Sequence, residues 1–186
     1  AQEDVDMLEI NISCPNVKEG GIAFGQNPKA AEEITRAVKK YAKQPVIMKL
    51  SPNVTSIADM ARAVEAGGAD AVSLINTITG MKIDIQKKGF LLANKTGGVS
   101  GPAIHPIAVR MVYEAANAVK IPVIGMGGIA SAEDAIEMLL AGASAVSVGT
   151  ANFYNPAVTM EIVDGIERYM QEQGFETVSD MVGIVR

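Results

Sequence analysis

Glycine-rich segments stand at the expected ends of apolar runs in this sequence: residues 97–101, 125–128 and 149–150. Glycine lets the backbone approach a ligand closely, and free N–H groups at the start of a helix bind anions well. A glycine pair taken alone is more often an ordinary tight turn. Because these segments recur at successive strand ends, they predict a cradle of backbone N–H groups for a phosphate.

Polar side chains that could contact a small ligand also stand at run ends. Lys49 lies within the apolar residues 46–50, so it either faces an anion or a polarised ligand or extends into solvent. Asparagine both donates and accepts hydrogen bonds, which suits a planar ligand with carbonyl, amide and carboxylate groups. The residues that predict such a heterocycle site are Asn11, Asn16, Asn76 and Thr77.

The single cysteine, Cys14, follows the first apolar run. Most lone cysteines are small buried hydrophobic side chains, and only the position of Cys14 at a strand end favours a chemical role. One cysteine cannot hold an iron–sulfur cluster, and no other residues have metal-ligand spacing, so no metal site is expected in this chain. His105, the sole histidine, is expected at the surface without a role.

These residues are positioned by a regular alternation of strands and helices. The apolar runs predict strands buried on both faces, at residues 7–12, 46–50, 71–75, 123–126 and 145–148. Apolar residues with three-and-four spacing predict helices between them. Helix starts are predicted at Asn27-Pro28, Asn155-Pro156, Ser56…Asp59 and Ser131…Asp134. This alternation requires parallel strands with right-handed crossovers, hence an α/β fold.

The repeated units favour a (β/α)8 TIM barrel over a doubly wound sheet, because residues 66–73 and 141–147 resemble each other. A full barrel takes about 250 residues. Only five βα units are recognisable, so residues 1–186 are expected to form a single barrel domain that lacks its N-terminal third. Residues 78–100 interrupt the alternation and predict an inserted hairpin, a wall or lid at the face where barrels carry their chemistry.

Composition excludes several classes of protein. The 186 residues are 48% hydrophobic and 20% charged, which is too apolar for disorder, and every apolar run is too short to span a membrane. A net charge of −5 with scattered basic residues argues against a nucleic-acid partner. The lone cysteine and the lack of a signal-peptide pattern predict a cytoplasmic protein.

Several motifs occur in order along nearly the whole chain: NISCPNV at 11–17, KLSPN at 49–53, NT at 76–77, GGVSGPAI at 97–104, GMGGI at 125–129 and VGTANF at 148–153. Together they resemble the class 1 dihydroorotate dehydrogenases. The loop at residues 18–25, KEGGIAFG, is most similar to the class 1B catalytic subunit. The resemblance implies a (β/α)8 barrel that uses FMN to oxidise dihydroorotate to orotate in pyrimidine biosynthesis.

By position, the resemblance implies a role for each candidate residue. Cys14 would be the base that removes a proton from C5 of dihydroorotate, so activity should rise with pH, because a free thiol is only a few per cent thiolate at neutral pH. The residues implied to bind FMN are Lys49, Ile75, Ser100, Gly101, Gly127, Gly128, Gly149 and Thr150. Those implied to bind the pyrimidine are Asn11, Asn16, Asn76 and Thr77.

The similarity to class 1B also implies partners. They are an iron–sulfur FAD electron-transfer subunit that passes electrons to NAD, and a second catalytic subunit in a homodimer. Three alternatives stay open at this point. They are a related flavin barrel acting on another dihydropyrimidine, a phosphate-binding barrel without redox chemistry, and a barrel fragment without activity.

Overall fold

The computed structural model describes residues 4–13 and 25–185. Two predicted site residues, Cys14 and Asn16, lie outside the described residues, as does most of the loop at 18–25. The helices and strands, in chain order, are β1 (Leu8–Asn11), α1 (Pro28–Lys39), β2 (Val46–Lys49), α2 (Ile57–Ala66), β3 (Ala71–Leu74), β4 (Ile78–Met81), β5 (Ile83–Asp84), β6 (Gly89–Phe90), β7 (Thr96–Val99), α3 (His105–Ala116), β8 (Val123–Met126), α4 (Ala132–Leu140), β9 (Ala145–Ser147) and α5 (Val158–Gln173). Short 3₁₀ helices occupy Pro102–Ile104, Thr150–Phe153 and Val178–Asp180.

The main sheet has five strands in the order β1-β2-β3-β8-β9. Every neighbouring pair is parallel, and sequence order is kept across the sheet. The predicted strands and their parallel arrangement are therefore confirmed, with end positions that differ by at most one residue. Helices cross from each strand to the next, as in part of a (β/α)8 barrel.

The two faces of the sheet differ in character. Met48, Val72 and Leu74 are fully buried in the core shared with the helices. The register places Asn11, Lys49 and Ser73 side by side on the opposite face. Strands β1, β8 and β9 alternate between more and less buried residues, so the prediction that every strand is buried on both faces is wrong for these three. The less buried face carries polar or small residues in β1 and β9, and Ile124 and Met126 in β8.

Helix starts follow the predicted caps with one exception. The Asn27 side chain accepts a hydrogen bond from the N–H of Ala30 (3.2 Å), and Ser56 and Ser131 cap α2 and α4 in the same way. The prediction at Asn155-Pro156 is wrong, because α5 begins two residues later, at Val158. Asn155 instead uses its side chain in the preceding turn, where it accepts from the N–H of Ala157 (3.0 Å).

The predicted insertion is a double hairpin after β3. Strands β4 and β7 pair in antiparallel fashion, and β5 pairs with β6 beyond them. Its apolar side chains are largely exposed, Ile85 and Leu91 among them. Among the described residues, none of the helices has the length and apolar character needed to cross a bilayer.

Candidate cofactor and substrate site

A cavity of about 550 Å³ opens where β2, β3, β8 and β9 end. Volumes of this size suit a small-molecule ligand. Every residue predicted to bind a flavin lines it: Lys49, Ile75, Ser100, Gly101, Gly127, Gly128, Gly149 and Thr150. Asn76 and Thr77, from the predicted pyrimidine group, line it as well. Residues that are distant in sequence are thus brought together by the carboxyl ends of parallel strands.

The loop after β8 is closely packed around two glycines with positive φ. Gly127 has φ of +131° and Gly128 has φ of +72°, a region that side chains rarely adopt. A Cβ at Gly128 would lie 2.8 Å from the carbonyl oxygen of Gly101 and 2.8 Å from the Cβ of His105. Only glycine therefore fits at this point of the cavity wall.

Gly101 and Gly149 line the same cavity in a different way. An added Cβ would meet no atom within 4 Å at either position. The hydroxyls of Ser100 and Thr150, their sequence neighbours, are hydrogen-bonded to each other at 2.9 Å across the cradle. The cavity therefore offers open space beside bare backbone, two hydroxyl groups and the start of a 3₁₀ helix at Thr150. These features suit a phosphate group.

Lys49 has a partner that sequence reasoning missed. Its Nζ lies 3.2 Å from Oε1 of Glu9, and Oε2 of Glu9 accepts from the hydroxyl of Ser73 at 2.8 Å. Ser73 is fully buried. The carboxylate is thus held between neighbouring strands and partly neutralises the ammonium that lines the cavity. The sequence did contain a signal for this contact, because the alternation of side chains along β1 places Glu9 on the same face as Asn11.

Asn11, Ser13 and Asn76 form a hydrogen-bonded cluster at the Lys49 end of the cavity. The amide of Asn76 donates to the Ser13 hydroxyl at 2.6 Å and to Oδ1 of Asn11 at 3.2 Å. The Ser13 hydroxyl in turn donates to Oδ1 of Asn11 at 2.8 Å. Ser13 is buried and directly precedes Cys14 in the chain. The two predicted asparagines therefore meet, although Asn11 does not line the cavity itself.

Asn53 ties the loop after β2 to the inserted hairpin. Its side-chain amide donates to the carbonyl oxygen of Thr77 (3.1 Å), and its Oδ1 accepts from the N–H of Thr79 (3.0 Å). The KLSPN motif contains Asn53, but nothing in the sequence shows that its contacts are to the hairpin. This pair of bonds fixes the base of the hairpin beside the cavity.

His105 is buried, contrary to its predicted surface position, with 6% of its area exposed. Its Nδ1 lies 2.9 Å from the carbonyl oxygen of Gly127, and its Nε2 lies 3.0 Å from Oε2 of Glu137. The prediction failed because the ring faces the β8 loop and α4, neither of which is adjacent in sequence. Tyr154 and Asn155 were also missed as cavity-lining residues, although they directly follow the VGTANF motif.

No group of three or more His, Cys, Asp or Glu residues in the described part of the chain could hold a metal ion. The carboxylates near the cavity are instead engaged by lysine, serine and histidine partners. The cavity combines glycine backbone, the Lys49 ammonium and the Asn76 amide. These groups suit an organic ligand that carries a phosphate.

Comparison with known proteins places this arrangement in a family. Residues 1–170 match the family model described as dihydroorotate dehydrogenase. The chain is 63% identical over 186 residues to the catalytic subunit of dihydroorotate dehydrogenase B (NAD(+)) from Lachnoclostridium phytofermentans, covering 100% of this chain and 62% of the relative. It is 60% identical over 180 residues to the same subunit from Alkaliphilus oremlandii, covering 97% of this chain and 60% of the relative. The chain thus spans about three fifths of the length of these relatives.

A solved structure agrees at the level of the fold. The crystal structure of a dihydroorotate dehydrogenase from Eimeria tenella, in complex with ferulenol, superposes with a TM-score of 0.79. Sequence identity is 23%, and the match covers 96% of this chain and 53% of that one. The expected barrel fold is confirmed by this match and by the sheet order. With the family model covering most of its length, the chain belongs to the dihydroorotate dehydrogenase family.

Proposed function

We propose that this chain is part of the catalytic subunit of a type B dihydroorotate dehydrogenase, which uses FMN to oxidise dihydroorotate to orotate in pyrimidine biosynthesis. The observation that carries the proposal is one cavity with a glycine cradle at one end and an asparagine cluster at the other. The names of the relatives support the substrate. In this proposal residues 1–186 belong to a single FMN-binding barrel domain.

The cradle would hold the phosphate of FMN. Gly101, Gly127, Gly128 and Gly149 expose backbone to the cavity, and Thr150 adds a hydroxyl and the start of a 3₁₀ helix. Gly101, Gly127 and Gly128 have positive φ, which strains any residue that carries a Cβ. Bound in this way, FMN would supply the acceptor for the hydride that leaves C6 of dihydroorotate.

Lys49, Ile75 and Ser100 would line the flavin between cradle and substrate. The Lys49 ammonium, already anchored by Glu9, would place positive charge near the ring. Its electrostatic effect is moderated by Glu9, because the carboxylate lies 3.2 Å away. The protein would use this pair to set how readily the cofactor accepts electrons.

The asparagine cluster would orient the pyrimidine. Asn76 and Thr77 line the cavity, and Asn11 fixes the Asn76 side chain through a direct hydrogen bond. Asn16, outside the described residues, completes the set in this proposal. Amide donors and acceptors match the ring carbonyls, ring N–H groups and carboxylate of dihydroorotate.

Cys14 would be the base, with its Sγ taking the proton from C5. The immediately preceding residue, Ser13, is buried and bonded to both asparagines, so the start of the Cys14 segment is held at the substrate end. The hairpin, fixed at its base by Asn53, would limit the access of water to the site. A positioned base of this kind contributes about 10²–10⁴-fold to the rate.

Partners complete the proposal. The relatives are named as NAD(+)-dependent catalytic subunits, which supports an iron–sulfur FAD subunit that carries electrons from the flavin to NAD. A homodimer of catalytic subunits is part of the same proposal, with the exposed apolar side chains of the hairpin as one surface available to it. We propose a cytoplasmic location for this assembly.

The test is anaerobic reduction of the FMN-loaded protein. Dihydroorotate should bleach the flavin absorbance, whereas dihydrouracil, which lacks the carboxylate, should do so far more slowly. Equal rates with both compounds would indicate another dihydropyrimidine as substrate. A protein that takes up FMN but is bleached by neither would contradict the proposed reaction.

A further inference from the structure

His105 is a buried residue that the proposed chemistry does not use. It is the only histidine in the chain, and it begins α3 directly behind the glycine cradle. Only 6% of its area is exposed. A buried imidazole with both nitrogens engaged, beside a predicted phosphate site, calls for an explanation beyond packing.

The hydrogen-bond partners determine the state of the ring. Nδ1 faces the carbonyl oxygen of Gly127 at 2.9 Å, and Nε2 faces the carboxylate of Glu137 at 3.0 Å. A carbonyl oxygen and an ionised carboxylate can only accept hydrogen bonds, so both contacts are hydrogen bonds when each ring nitrogen donates one. An imidazole that donates from both nitrogens is protonated and carries a positive charge.

The charged groups facing the ring come from α4. Besides Glu137, Oδ1 of Asp134 lies 3.7 Å from Nε2. The other carboxylate oxygen of Asp134 accepts from the N–H groups of Ala130 and Ser131, which keeps this side chain in place at the start of α4. Two carboxylates thus lie on one side of the ring.

The bond to Gly127 has a consequence for the cradle. A peptide group is planar and trans, so its C=O and N–H point in opposite directions. Because the carbonyl of Gly127 points at the buried ring, the N–H of Gly128 points the other way. Among the described residues, no backbone acceptor is found for that N–H, and Gly128 lines the cavity.

We propose that His105 is a protonated positioning residue for the phosphate site. Its ring holds the Gly127 carbonyl, and this orients the Gly128 N–H toward the anion and places a positive charge behind the cradle. This inference rests on the part of the proposed function that puts a phosphate monoester at the glycines. Anion binding and ring protonation then favour each other, because coupling between two binding equilibria is reciprocal.

The state of the ring can be read directly by nitrogen-edited NMR of the tag-free protein. One histidine gives one set of ring signals, and both nitrogens should carry protons at neutral pH. Glu137→Gln, a change at a largely exposed side chain, should move the loss of the ring proton to lower pH. Adding FMN should move it to higher pH. A ring that is a neutral tautomer at about pH 6 would overturn the proposal.

The effect on the cradle is measured by binding of FMN and of riboflavin, which lacks the phosphate. His105→Gln retains a donor for Gly127 but cannot carry charge. The ratio of wild-type to variant affinity for FMN should be about five- to tenfold at pH 6 and fall toward one as pH rises, while the ratio for riboflavin stays near one throughout. Taking the ratio cancels the ionisation of the FMN phosphate itself.

A ratio for FMN that does not change with pH, or an equal change for riboflavin, would overturn the role of His105. Failure to bind FMN at any pH would contradict both this inference and the proposed function. Bound FMN that dihydroorotate cannot bleach would count against the proposed function alone, because neither measurement uses the substrate.

Discussion

The two ends of the cavity are built from different parts of the chain. At the glycine end, after β8 and β9, glycine backbone forms much of the wall, and Gly128 has no room for a Cβ. At the opposite end, after β1 and β3, the side chains of Asn76 and Thr77 line the cavity, and Asn11 and Ser13 hold the Asn76 side chain by hydrogen bonds. Backbone N–H groups suit a fixed anion, whereas amide side chains suit a substrate that must be exchanged.

This difference predicts that substitutions will separate two properties. Changes at the glycine end, the proposed phosphate site, should weaken retention of FMN, because any added atom either disturbs the packing or occupies ligand space. Changes at the asparagine end should slow turnover and leave FMN bound. A variant at one end that produced the effect expected of the other would contradict this division.

The largest effect is expected from Cys14→Ala. Flavin reduction by dihydroorotate should slow by about 10²–10⁴-fold, because the positioned base is lost. FMN content should stay unchanged, since no flavin contact is assigned to the thiol. Stopped-flow bleaching across a pH series measures the rate. Cys14→Ser is the matched variant, and it should keep some activity with a profile moved to higher pH, because a hydroxyl loses its proton less readily than a thiol.

Gly128→Val should abolish FMN retention and also destabilise the fold. The positive φ costs about 1–2 kcal/mol for any residue with a side chain, and the contacts with Gly101 and His105 add about 1–3 kcal/mol of overpacking. Gly174→Ala is the control, because Gly174 has a similar φ of +77° with no atom within 4 Å of an added Cβ. Denaturant unfolding should show the smaller cost there. Undiminished flavin in a folded Gly128→Val protein would exclude this loop from the cradle.

Asn76→Ala should raise the KM for dihydroorotate about ten- to a hundredfold, because the hydrogen bonds to Ser13 and Asn11 are lost together with the cavity-lining amide. FMN affinity should be unchanged. Asn117→Ala is a suitable control, since Asn117 is an exposed asparagine whose amide bonds only within its own helix end. Equal kinetics for the two variants would mean that Asn76 does not contact the substrate.

A small effect is expected far from both ends, at Asp70. A hydrogen bond from Lys39, followed by one from the N–H of Val46, lowers the pKa of the Asp70 carboxyl below its usual value. The Asp70 carboxylate therefore stabilises the folded protein at pH values above its pKa in the unfolded chain. This stabilisation is lost as the pH falls through the lower pKa of the folded protein. Because the side chain is 43% exposed, solvent screening limits its contribution to about 1 kcal/mol or less.

Asp70→Asn tests this contribution through thermal unfolding between neutral and acid pH. The variant should lose less stability than wild type on acidification, while FMN affinity and turnover stay the same. Identical acid sensitivity of the two proteins would show that the carboxyl does not contribute.

Sequence patterns predicted the parallel strands, the hairpin and the grouping of glycines at strand ends, because these depend on local periodicity and on where strands end. The binding of a phosphate by those glycines stays a prediction. The buried position of His105 was not predictable, since its partners Gly127 and Glu137 come from two later elements. Glu9 was missed for a related reason. Glu9 lies opposite Ile47, so its contact with Lys49 runs diagonally between β1 and β2. That contact depends on the register of the two strands, which is set only when the sheet forms.

The start of α5 shows a different limit. Asn155-Pro156 has the pattern of a helix cap, but the Asn155 side chain bonds to the N–H of Ala157 and closes a turn before the helix. Two local structures compete for the same residues, and the packing of Val158 into the core accompanies the later start. Local patterns alone do not decide between such alternatives.

The most direct measurement is the affinity for FMN of Gly149→Ala beside wild type. An added methyl at Gly149 meets no protein atom, and its backbone (φ −109°, ψ −94°) lies outside the α and β regions, so only a small loss of melting temperature is expected, from local strain. We predict FMN affinity at least about tenfold weaker by fluorescence titration, because the methyl would occupy space needed by the phosphate. Unchanged FMN affinity in a folded Gly149→Ala protein would contradict the assignment of this cavity to the cofactor.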